Sequence, residues 1–219
     1  MAAILCIETA TTNCSVALSI NGSASVLIED FNTSYSHGER LQPYIDQVLK
    51  KAKIDYAHLD AVAVSKGPGS YTGLRIGVSA AKGLCFSLGI PLIAVDTLSS
   101  LAAQVNVTDG FIVPMLDARR MEVYSRVFDS QHTALTKVSP TVLLPESFSE
   151  YLDKSKVVFV GNSNQKFSEI CSHPNAQFET FSLPSAKELC ILAQKQFDQN
   201  EFEDVAYFEP FYLKSVRIG

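Results

Sequence analysis

Over Cys14–Ile20 apolar and polar residues alternate, with Val16, Leu18 and Ile20 on one face, and that period of two predicts a strand. Ile4 to Glu8 before it and Ala24 to Asp30 after it read the same way. Asn21-Gly22 joins the last two, because both central residues of a type I′ turn must accept positive φ. Residues 4–30 are therefore expected to form a three-stranded meander. The period then changes: from about His37 to Lys53, Leu41, Tyr44, Ile45, Val48, Leu49 and Ala52 recur at helical spacing as one stripe. Leu59 to Val64, apolar apart from Asp60, reads as a strand covered on both faces. Residues 66–88 turn through Gly67-Pro68-Gly69 into a long apolar helix, and Pro91 to Val95 returns as a strand. Strand, helix and strand then make one right-handed parallel crossover.

Asn106 to Gly110 is the expected boundary between two lobes, 1–105 and 106–219. The second opens again with strands, at Phe111 to Leu116, Glu122 to Phe128 and near Ala134 to Val138. A strand at Val157 to Val160 follows, then the polar turn Gly161 to Asn164 and a helix over Gln165 to Ser172. Ala186 to Phe197 carries Leu189, Leu192, Ala193 and Phe197 at helical spacing, with Ser185 as its N-cap. The tail from Tyr207 is aromatic and ends basic at Lys214 and Arg217. The order meander, helix, strand, helix occurs twice, which predicts an α/β protein of two similarly built lobes.

Composition narrows the picture. At 219 residues and 47% hydrophobic, the chain can bury a full core. Its net charge of -5 argues against tight binding of nucleic acid by the chain alone, since backbone recognition leaves a basic footprint. The five cysteines, Cys6, Cys14, Cys85, Cys171 and Cys190, are scattered and never form a CxxC pair, as in a reducing compartment. Neither a signal peptide nor an apolar run near 18 residues is visible, so a soluble cytoplasmic protein away from membranes is expected.

Chemistry is sparse. Thr9-Ala10-Thr11-Thr12-Asn13, following the acidic Glu8, suits either a phosphate or its own backbone. The glycine loop is not a Walker A loop, because no GK[ST] follows at the required spacing. As a dinucleotide fingerprint its GxGxxxG spacing is one residue too long. The helix itself offers a third reading: Gly73, Gly77 and Ala81 stack at intervals of four and leave a groove. Either the helix packs only against the stripe of helix 37–53, or both helices also face a second polypeptide. No Ser/His/Asp set, metal cluster or cofactor motif assembles, and His58, His132 and His173 sit in separate loops.

Four segments, Ile4 to Thr11, Ser36 to Leu41, Lys66 to Gly83 and Leu116 to Tyr124, resemble the bacterial TsaB (YeaZ) family. The resemblance implies an actin/Hsp70-like fold of two lobes, each a mixed sheet of meander plus βαβ with flanking helices. It also implies a non-catalytic subunit for N6-threonylcarbamoyladenosine formation in tRNA, which binds and activates a TsaD-like transferase. A TsaE-like ATPase is the third component, tRNA is met through the complex, and a homodimer forms when the transferase is absent. The transferase of such systems holds metal through an HxxxH helix motif; here His37 is followed by Leu41, which removes half of the pair. The partner-facing residues this implies are His37, Leu41, Tyr44, Ile45 and Val48 on one helix, and Tyr71, Gly73, Leu74, Arg75, Gly77, Val78, Ala81 and Lys82 on the next. No catalytic, metal or nucleotide residue is assigned. The competing expectation is a nucleotide-binding enzyme or glycoprotease-like peptidase acting on its own.

Overall fold

The computed structural model describes residues 2–31, 36–180 and 182–213, so Lys214 and Arg217 of the basic tail lie outside the described residues. β1 (Ala3–Glu8), β2 (Cys14–Ile20) and β3 (Ser23–Asp30) form the expected meander. Asn21 and Gly22 take φ of 49° and 81°, as the hairpin requires. α1 (His37–Ala52) leads to β4 (Ala61–Gly67), α2 (Tyr71–Leu88) to β5 (Leu92–Asp96), and α3 (Thr97–Ala102) follows. The sheet runs β3-β2-β1-β4-β5, antiparallel through the meander and parallel across β1, β4 and β5. Strand alternation divides its faces. Leu5, Ile7, Val16, Leu18, Val62 and Val64 point to one side and are buried with Leu41, Ile45, Val48 and Val78 of the two helices.

The second sheet repeats this plan. β6 (Phe111–Asp117), β7 (Glu122–Ser125), β8 (Phe128–Asp129), β9 (Ser139–Val142), β10 (Val157–Gly161) and β11 (Ala176–Phe178) are ordered β11-β10-β6-β7-β9, with β8 on β6. α4 (Ser149–Leu152) and α5 (Asn164–Ser168) flank them. Phe159, Phe167 and Phe178 stack with Phe148 in its core, at ring separations of 5.0 to 5.8 Å. The strand expected over Glu122 to Phe128 is interrupted at Arg126-Val127. The register Met115 to Ser125, Ile112 to Phe128 is common to both pieces, and continuing it puts Arg126 opposite Pro114. Pro114 has no amide to donate, so the ladder breaks there. The third strand also falls later than expected, at Ser139–Val142 on β7, while Ala134 makes only a bridge to Phe128.

The division at residue 105 needs correction. The unit that runs to Ser100 resumes with Pro184–Tyr212, and the second unit takes Leu101–Leu183. α6 (Ala186–Asp198) lies on the other face of the first sheet. That face carries Cys6, Ala17, Ala61 and Ala63, small side chains that let Ala186, Leu189 and Ala193 come close. Polar bonds fix its start. Ser185 caps the helix by accepting from Lys187 N–H at 3.0 Å and donates to Glu29, while Ser15 Oγ accepts from Ala186 N–H at 3.0 Å. Asn13 Nδ2 donates to the Pro184 carbonyl at 2.9 Å. Both sheet faces must be covered in a parallel arrangement, and the chain meets that need by returning only after the second unit is built, which chain order does not announce.

Candidate functional site

The loop after β4 and the first turns of α2 close over the turn that follows β1. Ser70 N–H donates to the Ala10 carbonyl at 2.6 Å, and Ser70 Oγ accepts from Gly73 N–H as the N-cap of α2. The helix comes so near that a Cβ on Gly73 would stand 2.1 Å from the Thr9 carbonyl oxygen, and one on Gly77 2.2 Å from Thr9 Oγ1. Glycine at these positions is a steric requirement of the chain's own packing.

The turn is only partly occupied by its own bonds, since Glu8 Oε2, Thr9 Oγ1 and Asn13 Oδ1 are buried without a hydrogen-bond partner. Glu8, Thr9, Ala10 and Asn13 are buried, and Glu8 Oε1 accepts from Ala10 N–H at 2.6 Å and from Ser65 Oγ at 2.8 Å. Burial pushes the Glu8 carboxyl up to about 7, against the opposing pull of those two bonds. His37 Nε2 meets the Thr11 carbonyl at 2.7 Å, which makes it the protonated nitrogen, and burial lowers the ring's pKa. Of the two readings of the hydroxyl-rich turn, satisfaction of its own backbone is the one the geometry favours.

The partner-facing set read from the sequence is corrected in the same terms. Leu41, Ile45, Val48, Leu74, Val78 and Ala81 are buried in the first core, and Gly73 and Gly77 are buried against the turn. His37 is tied to Thr11. Tyr44 donates from its hydroxyl to Asp30 Oδ2 at 2.8 Å, beside the Arg40–Asp30 ion pair. Tyr71, Arg75 and Lys82 hold the returning tail: the Tyr71 and Tyr212 rings lie 4.9 Å apart, Arg75 Nε donates to Tyr212 Oη at 3.3 Å, and Lys82 Nζ donates to the carbonyls of Ala206 and Phe208 at 3.2 and 2.9 Å. The Arg75 guanidinium also stacks 4.2 Å above the Tyr71 ring.

What α2 turns outward is a different strip. Thr72, Arg75, Ser79, Gly83 and Phe86 are exposed, with Ile76 and Ala80 half-buried at its edge, and Phe86 is 84% exposed. Nothing lies within 4 Å of where a Gly83 Cβ would be, and a Cβ on Gly38 at the start of α1 would stand 4.0 Å from Ile76 Cδ1. Of this strip the sequence reading put only Arg75 in the partner-facing set, although a signal for the rest existed: Leu74, Val78 and Cys85 mark the inward side of the helix, and Gly83 stands opposite. Among the described residues no group of three or more His, Cys, Asp or Glu is placed to hold a metal ion, and no helix is long and apolar enough to cross a membrane.

A family model described as TsaD, tRNA N6-adenosine threonylcarbamoyltransferase, matches residues 31–218. The chain is 29% identical over 224 residues to the tRNA threonylcarbamoyladenosine biosynthesis protein TsaB of Haemophilus influenzae, covering 97% of this chain and 93% of that one. It is 38% identical over 130 residues to the Bacillus subtilis protein of the same name, covering 58% of this chain and 57% of the relative. Among solved structures, YeaZ from Pseudomonas aeruginosa matches with a TM-score of 0.83 at 29% identity, covering 97% of this chain and all of that one. The α/β architecture of two mixed sheets agrees with that match.

Proposed function

The chain belongs to the TsaD family of tRNA threonylcarbamoylation proteins, on its TsaB (YeaZ) side, and from that premise we propose that it is a non-catalytic subunit that holds and activates a TsaD-like transferase. The outward strip of α2 is the docking face. The observation that carries this reading is Phe86, a large apolar side chain left 84% exposed beside the open position at Gly83. A helix presenting small residues around one protruding aromatic fits a second helix laid against it, since the absent side chains permit close approach and the ring supplies an anchor.

The non-catalytic part of the reading is supported by how the turn after β1 is used. The Ala10 amide is taken by Glu8 and the Ala10 carbonyl by Ser70 at the start of α2, and Leu41 stands in the core where a second histidine of an HxxxH pair would be. A TsaE-like ATPase completes the set in the cytoplasm, tRNA reaches the chain through the complex, and a second copy of the chain takes the same face when the transferase is absent.

Gly83→Leu and Phe86→Ala test the face. Leucine at Gly83 meets open space and gains about 1 kcal/mol of helix propensity, so the isolated chain should melt no lower than the parent. It should nevertheless lose association with the TsaD-like partner on size-exclusion chromatography. Phe86→Ala should weaken association by about thirtyfold, the equivalent of about 2 kcal/mol for a hot-spot residue. Association of parental strength in both variants would place the docking face elsewhere.

A further inference from the structure

The hairpin between β6 and β7 carries the sequence Asp117-Ala118-Arg119-Arg120-Met121-Glu122, and its backbone is unusual. Arg119 and Arg120 are successive non-glycine residues at φ of 74° and 53°. Side chains disfavour the left-handed region, and two in a row persist only where the surroundings over-determine them. Here they do. Lys166 reaches under the tip from α5, its side chain 19% exposed, and Nζ donates to the carbonyls of Arg120 and Glu122 at 2.9 and 2.8 Å and to Asp117 Oδ1 at 3.1 Å. Asp117 Oδ1 also accepts from Arg119 N–H at 2.6 Å, and Asp117 N–H donates to Asn162 Oδ1 at 2.8 Å. Ala118 and Glu122 close the loop through their backbones at 3.0 Å.

The result is a rigid tip with two exposed arginines. Among the described residues no carboxylate pairs with either guanidinium; of the two acids that flank them in the loop, Asp117 is held by Lys166 and Glu122 is itself engaged. Every device in the loop secures backbone and leaves the two forks free, on a chain whose net charge is -5. A planar fork fits phosphate oxygens two at a time, and positioning contacts to a phosphate backbone need reach and charge more than buried area.

We propose that Arg119 and Arg120 contact the phosphodiester backbone of the RNA on which the assembled complex acts. This rests on reading the chain as a tRNA-modification subunit. The acidity of the chain as a whole makes the tip an auxiliary contact within a complex and not a binding site in isolation.

The test is the paired substitution Arg119→Gly with Arg120→Gly, carried in the complex with the TsaD-like transferase and read by fluorescence anisotropy with transcribed tRNA from about 50 to about 200 mM salt. Glycine accepts the left-handed backbone, so the variant's melting temperature should hold or rise. Affinity for tRNA should fall about tenfold or more, and the slope of log affinity against log salt should flatten by about one for each phosphate no longer neutralised. An assembled variant complex with parental affinity and slope overturns the proposal. So does a variant that no longer assembles, which would give the arginines to a protein interface. A parental chain that does not associate with the transferase defeats the assembly reading first and this inference with it.

Discussion

Gly73→Ala should destabilise the protein by about 3 kcal/mol, although the same change in an ordinary helix interior gains about 1 kcal/mol. The added methyl would stand 2.1 Å from the Thr9 carbonyl oxygen and 3.3 Å from the His37 ring. A ring can swing aside, but the carbonyl belongs to backbone held by Glu8 and Ser70 on either side. Relief therefore requires α2 to lift from the sheet, which unpacks Val78 and its neighbours from the first core. Gly83→Ala is the matched control, since its methyl meets nothing within 4 Å and should stabilise by about 1 kcal/mol. Urea unfolding of the two variants should thus differ by about 4 kcal/mol, with opposite signs against the parent. Two shifts of the same sign would mean that α2 does not rest on the turn after β1.

Glu8→Gln should be close to neutral at low pH and stabilising at high pH. The carboxyl is raised from an ordinary 4.5 to about 7 by burial, so the folded state holds its proton more tightly than the unfolded chain. Below pH 4.5 both states are protonated and the stability from this group is fully present. Between pH 4.5 and 7 the unfolded chain gives up its proton while the folded protein keeps it, so stability falls as pH rises. Above about 7 the loss is complete, and a shift of this size corresponds to about 3 kcal/mol. Glutamine keeps an oxygen to accept from Ala10 N–H and Ser65 Oγ but carries no charge at any pH. The stability gap between variant and parent, measured by urea titration at about pH 4 and about pH 8, should widen by that amount. A gap that stays constant with pH would show that Glu8 is not held protonated.

Where local pattern was sufficient, the sequence was legible. The alternation over Cys14–Ile20, the Asn21-Gly22 turn and the stripe of α1 each predict an element that is found where expected. The repeat of meander, helix and strand was visible as well, because each lobe builds it from neighbouring elements. The candidate site fared differently. Most residues read as partner-facing proved to be the chain's own core or the anchors of its own tail, since an apolar stripe looks the same whether it covers a sheet or a second protein. The small-residue ladder was real, but it accommodates Thr9.

The sequence by itself determined the elements of the first unit, their order and the family, because these depend on spacings within a few turns of chain and on motifs that stand whole in the linear text. Tertiary structure alone decided which side of α2 is spent and which is free, and that residues 184–212 return to the first unit. Both are settled by residues far apart in sequence that meet in the fold: Thr9 under Gly73, Ser185 beside Glu29, Phe211 N–H on the Lys66 carbonyl at 2.7 Å. A buried backbone group or a glycine reports that something must pack against it; what packs there is fixed only when the distant segment arrives.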